Sequence, residues 1–168
     1  MPPAMSTPFY HPVPQPEEIP IREREDAMGA YLMMFAAIGA GLPLPVINLI
    51  ASIVYYFINR SHSRFVHFHS LQAMLSQMPT SIMNIILVFW SVRIFFTDAT
   101  VNDYYVGYIW LTVIANILYF VYGIISAVKA RRGRMYYLMF FGKISYSIAF
   151  AVKEEKTREI KNEPPPIG

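Results

Sequence analysis

Between Ala27 and Val128 the only formally charged side chains are Arg60, Arg64, Arg93, Asp98 and Asp103, so the chain offers long runs with almost nothing to keep them in water. Apolar stretches of this length reach the roughly 20 residues that a helix needs to cross a hydrocarbon core. Soluble helices of ordinary domains keep one polar face, and these runs have none. The fold class expected is therefore all-α, an integral membrane four-helix bundle made of two hairpins and followed by a C-terminal interfacial helix.

The hairpins join at a polar segment, Asn59 to Gln77, NRSHSRFVHFHSLQAMLSQ, that separates apolar runs on either side. Before it, Ala27–Leu42 is rich in Gly and Ala, which let helices approach closely in lipid. Pro43 and Pro45 interrupt that run, and Val46–Asn59 resumes it, with Tyr55 and Tyr56 as aromatic anchors ahead of Arg60. With a turn at Gly41–Pro45 each arm has about 15 residues, roughly 23 Å. With only a kink there, one long tilted helix crosses once. The turn is preferred because Arg22, Arg24, Arg60, Arg64, Lys129, Arg131, Arg132 and Arg134 then share one side, opposite the Lys- and Arg-free segments Gly41–Pro45 and Thr97–Asp103.

After the junction, spans are expected at 74–96 and 104–128, completing the set begun by 27–42 and 46–59, all within a transmembrane domain of residues 21–134. Arg93 lies near the outer end of the third span, where it snorkels toward Asp98 and Asp103. Asn84 and Asn116 sit at matching depths and are expected to hydrogen-bond across the hairpin, worth about 0.6 kcal/mol in lipid. A fifth crossing through 135–152 would bury Lys143 at about 2.5 to 3.5 kcal/mol, so that segment is read as lying along the interface. Residues 1–20, with seven prolines, read as a disordered tail without signal-peptide organisation, and 153–168 as a charged tail.

A net charge of +3, with basic residues clustered beside apolar runs and not forming a face with interleaved aromatics, argues against nucleic-acid binding. Lys129, Arg131, Arg132, Arg134 and Lys143 are instead candidates for contact with anionic lipid head groups or a protein partner in a membrane complex. The chain has no cysteine, which excludes disulfides and thiolate metal sites. His67 and His69 invite a metal, yet on a helix they point roughly 200° apart, and no carboxylate nearby completes a ligand set. They are read, with Ser70 and Gln72, as hydrogen-bonding neighbouring helix ends, and their protonation is a candidate source of pH sensitivity. No nucleophile elbow, zinc-protease signature or phosphate-cradling loop is present, so no enzyme activity and no cofactor are expected.

The stretch Arg64–Ala73, with Phe65, His67, Phe68, His69, Gln72 and Ala73, resembles the "phenylalanine, histidine, two residues, glutamine, alanine" signature of bacterial four-span proteins. That family is similar to the Tic-twenty-like subunit of the chloroplast inner-envelope import translocon. Ala127–Tyr137 resembles the same family's ending, although Leu138 and Met139 stand where its usual proline follows. The resemblance implies four helices and an accessory role in protein translocation. The expected function is a non-enzymatic subunit of a translocating or other envelope assembly, in a bacterial inner membrane with both termini cytoplasmic. The alternatives are a small transporter or channel using Asn84, Asn116 and Arg93, and a lipid-acting membrane enzyme.

Overall fold

The computed structural model describes residues 10–36, 45–97 and 100–152. It is all-α there, with α1 Ile21–Leu32, α2 Pro45–Asn59, α3 Arg64–Thr97, α4 Asp103–Arg131 and α5 Met139–Ala149. Short 3-10 turns at Pro16–Glu18 and Met33–Phe35 flank α1. The 1–9 part of the N-terminal tail, the Gly41–Leu44 part of the expected turn, residues 37–42 of the 27–42 span, Asp98 and the 153–168 tail lie outside the described residues.

Neighbouring helices run antiparallel. Asp26 and His62 come within 3.5 Å, and the Tyr55 hydroxyl donates to the Asp26 carbonyl at 2.8 Å. The chain between them must therefore go out and return, which excludes one long helix through 27–59. In the same sense Ser52 bonds Gln77 and Tyr56 meets His67 across α2 and α3, while Trp90 packs on Tyr105 across α3 and α4. α4 returns against α1, with Arg131 beside Glu25 and Phe120 beside Phe35.

Small residues set the closeness of that last contact. Ala27 and Ala30 of α1 share a core with Ala127 and Ala130 of α4, sealed by Ile19, Tyr31, Phe65 and Ala73. A helix pair lined by Ala brings backbones together without a gap to fill.

The two long helices outrun this core. α3 has 34 residues, about 51 Å at 1.5 Å per residue, against roughly 30 Å of hydrocarbon. Its burial divides it accordingly. From Phe65 to Ser81 one side chain after another is buried in protein, whereas Ile82, Ile85, Ile86, Val88, Phe89, Val92, Phe95 and Phe96 are exposed. α4 matches it with exposed Val106, Trp110, Ile114, Ile117, Val121 and Ile125. Among the described residues, only these two helices are long and apolar enough to cross a membrane. The exposed apolar stretch of α3 is thus its C-terminal part, from about Met78, and the first two fifths are a protein-packed base. Pro79 lies where the two parts meet and does not interrupt the helix.

Helix ends follow local chemistry. Ser63 Oγ accepts from Val66 N at 3.2 Å and starts α3. Asn102 does the same for Tyr105 N at 2.9 Å and starts α4. α4 stops in a Schellman arrangement, with Gly133 N bonded to Ala130 O and Arg134 N to Lys129 O. Gly133 takes φ 70°, open to glycine without strain.

Two expectations change. The polar Asn59–Gln77 segment does not stand apart from the helices, since only Arg60–Ser63 lie between them and Arg64–Gln77 forms the base of α3. Residues 10–20, read as part of a disordered tail, follow a defined path. His11 N bonds Phe150 O at 2.9 Å, Ile19 is buried, and Arg24 grips the carbonyls of Ile19 at 2.8 Å and Pro16 at 2.6 Å. Prolines forbid a helix there but leave carbonyls free, and an arginine can collect those.

α5 lies against the base of α3, where Phe68 packs with Phe150 and Ala149. It buries Gly142, Ser145 and Ala149 and turns Phe140, Lys143, Ile144 and Ile148 outward.

Candidate functional site

The base of α3 places its signature residues in one buried knot. Phe65, Phe68, His69, Gln72 and Ala73 are all essentially inaccessible. Gln72 Nε2 donates to the Tyr31 hydroxyl at 2.8 Å and to the Tyr136 carbonyl at 2.9 Å, and its Oε1 accepts from Leu138 N at 3.2 Å. Every hydrogen of that amide is used. One side chain thereby ties α3 to α1 and to the segment between α4 and α5.

Tyr31 accepts from Gln72, so its single proton goes to His69 Nδ1, 3.0 Å away. This leaves the imidazole proton on Nε2. Nε2 has no hydrogen-bond partner among the described residues, although the Arg134 backbone lies near enough to favour the charged ring slightly. Burial dominates and pushes the pKa of His69 down to about 3. The ring stands edge-on to Phe65 at 4.5 Å and Phe68 at 4.9 Å between centroids. His69 is a neutral packing and hydrogen-bonding residue here.

His67 points elsewhere on α3. Its Nε2 meets the Tyr56 hydroxyl at 3.2 Å. Among the described residues no group of three or more His, Asp or Glu side chains gathers in a way that would hold a metal ion.

Further along the hairpin, Asn84 and Asn116 exchange hydrogen bonds at 3.0 and 3.2 Å. Each also donates to its own helix, at Thr80 O and Thr112 O. Their capacity is spent on each other and the backbone. Arg93 stands apart from them, exposed near the end of α3. Arg131 pairs with Glu25 at 2.6 Å, Arg132, Arg134 and Lys143 are exposed, and Lys129 is half-buried.

Tyr31, Tyr56 and the Tyr136–Leu138 backbone are the members that sequence reasoning missed. Tyr55 and Tyr56 read as interface anchors, but both hydroxyls bond protein groups. A signal did exist, because the two short motifs at Arg64–Ala73 and Ala127–Tyr137 touch through Gln72 and Tyr136.

Residues 23–145, which take in all four bundle helices and the start of α5, match the model of the magnetosome magnetite crystal formation protein family. The chain belongs to that family. No curated protein and no solved structure matches it. Membership of the magnetosome crystal formation family overturns the resemblance to Tic-twenty-like translocon subunits, and the translocation role goes with it. The physical reason is visible in the knot. The two motifs that carried the resemblance encode a junction, a buried Gln–backbone clasp and a glycine helix stop, which any helical membrane protein needing that corner would favour. Together with α3 and α4, the family places this chain among integral membrane proteins.

Proposed function

We propose that this protein is a non-enzymatic integral membrane component of magnetite crystal formation, seated in the magnetosome membrane and working beside other membrane proteins. The observation that carries the reading is the family match across residues 23–145, because it covers the whole bundle and not one helix. The knot supports a structural part for the core, since Tyr31, His69 and Gln72 are occupied with one another.

In this reading α1 from Ala27, α2, α3 from about Met78 and α4 lie in the bilayer. α2 lends support with Ile50, Val54, Phe57 and Ile58 exposed along one face. The arginine-bearing ends face the cytoplasm, together with both termini. The connection Thr97–Asp103 then faces the crystal. It carries Asp98 and Asp103 and no Lys or Arg, and carboxylate oxygen is the hard donor that suits oxygen-preferring cations.

The test uses a magnetite-forming bacterium lacking the chromosomal copy, complemented with the native chain or with Asp98→Asn/Asp103→Asn, and crystals sized by electron microscopy. The native chain restores crystal dimensions, and the double variant, present in the membrane at the native level, does not. Crystals indifferent to loss of the gene would refute the role, and full rescue by the double variant would refute the assignment of the acidic connection.

A further inference from the structure

The C-terminal end of α4 opens into a cavity of about 460 Å³ lined by Arg24, Arg131, Arg132 and Arg134 with Pro16 and Glu17. Four guanidinium groups face one carboxylate. Arg24 is held by the carbonyls of Ile19 and Pro16 and Arg131 by Glu25. The side chains of Arg132 and Arg134 have neither an ion pair nor a hydrogen bond among the described residues. Gly133 stands between them, and its left-handed backbone turns the chain so that both flank the opening. A Cβ there would lie 3.2 Å from Pro16 Cα and O. Glycine therefore lets the proline-rich segment close the far wall.

We propose that this cavity binds the phosphate of an anionic glycerophospholipid headgroup. Planar guanidinium forks match phosphate oxygens two at a time, and two of the four forks are uncommitted. The position favours lipid over a soluble anion. Exposed Val121, Ile124, Ile125 and Val128 run along α4 to within one turn of Arg131 and Arg132, an apolar track for an acyl chain ending where a headgroup lies. Glu17, exposed on the cavity wall, supplies the acceptor that a hydroxyl-bearing headgroup such as phosphoglycerol satisfies. A tail-anchored ligand here would also pin residues 16–24 to the end of α4.

Full-length protein is reconstituted into vesicles of equal parts phosphatidylglycerol and phosphatidylcholine, extracted in mild detergent, and its retained lipid measured by native mass spectrometry. The native chain retains phosphatidylglycerol in preference. Each arginine contributes roughly fivefold near an anionic surface, so Arg132→Gln/Arg134→Gln lowers retention by roughly 25-fold and Arg93→Gln, exposed at the opposite end of α3, leaves it unchanged. Helix content by circular dichroism verifies folding. If the double variant does not fold, Arg132→Gln and Arg134→Gln are each read singly for the fivefold loss. Equal retention of the two lipids, or a variant that retains phosphatidylglycerol like the native chain, overturns the proposal. A lipid-free arm titrates millimolar inorganic phosphate. Phosphate binding that depends on the same arginines, without lipid retention, overturns the lipid as the source and keeps the phosphate chemistry. Crystal growth plays no part in this readout, so its outcome is separate from that of the proposed function.

Discussion

Gln72→Leu is the change that most directly probes the knot. Leucine keeps the volume roughly but removes three hydrogen bonds at 2.8, 2.9 and 3.2 Å. Tyr31 still has His69, whereas the Tyr136 carbonyl and the Leu138 amide lose the amide that satisfied them. Leaving a buried polar group without a partner costs about 1–3 kcal/mol, so two cost about 2–6 kcal/mol. That is a large part of the 5–15 kcal/mol that ordinarily separates folded from unfolded states. His69→Phe is the matched comparison. It keeps the edge contacts with Phe65 and Phe68 and loses one hydrogen bond, about 0.5–1.5 kcal/mol, while removing a ring nitrogen that had no partner. Reversible unfolding in mixed micelles is expected to show Gln72→Leu destabilised by at least about 0.5 kcal/mol more than His69→Phe. A His69→Phe cost equal to or above that of Gln72→Leu, or a Gln72→Leu variant as stable as the native chain, would refute the account of the clasp.

Two further outcomes follow from the same geometry. The pKa of His69 falls from its ordinary 6.5 to about 3 on folding, so protonation favours the unfolded chain. Its contribution is fully present above about pH 6.5 and drains away as pH falls below that, at a limiting slope of about 1.4 kcal/mol per unit. Unfolding midpoints at pH 7 and pH 5 should therefore separate more in the native chain than in His69→Phe, and identical separations would show that another group titrates. Gly142→Ala and Gly107→Ala should part in sign. A Cβ on Gly142 would sit 2.7 Å from Tyr137 Cα and 2.9 Å from its carbonyl carbon, costing about 1–3 kcal/mol as backbone shifts. Gly107 has nothing within 4 Å, so alanine there gains about 0.5–1 kcal/mol of helix preference, measurable as opposite changes in the thermal midpoint.

Asn84 and Asn116 show how far pattern alone reaches. Two amides at equal depth in adjacent apolar runs have few partners but each other, and they are found bonded. Tyr55, Tyr56 and Arg24 show where it fails. Each sits beside a charged or proline-rich stretch that reads as solvent or lipid boundary, and each bonds a carbonyl or ring that only a returning chain brings near. His69 is the sharper case. Its depressed pKa comes from burial; Phe65 and Phe68 beside it are on its own helix, which sequence shows, but its hydrogen-bond partner Tyr31 is 38 residues away, which sequence does not.

Composition and the spacing of charge were enough to dictate helices, their antiparallel order and the two long apolar stretches, because helix formation and exclusion of charge from hydrocarbon are local properties of a run. Which polar groups meet was decided by the bundle. Gln72 satisfies backbone 64 and 66 residues further on, and Arg132 and Arg134 share a cavity with Pro16 and Glu17. A buried hydrogen bond and a pooled positive field depend on positions in space, and those exist only once α1 has packed against α4.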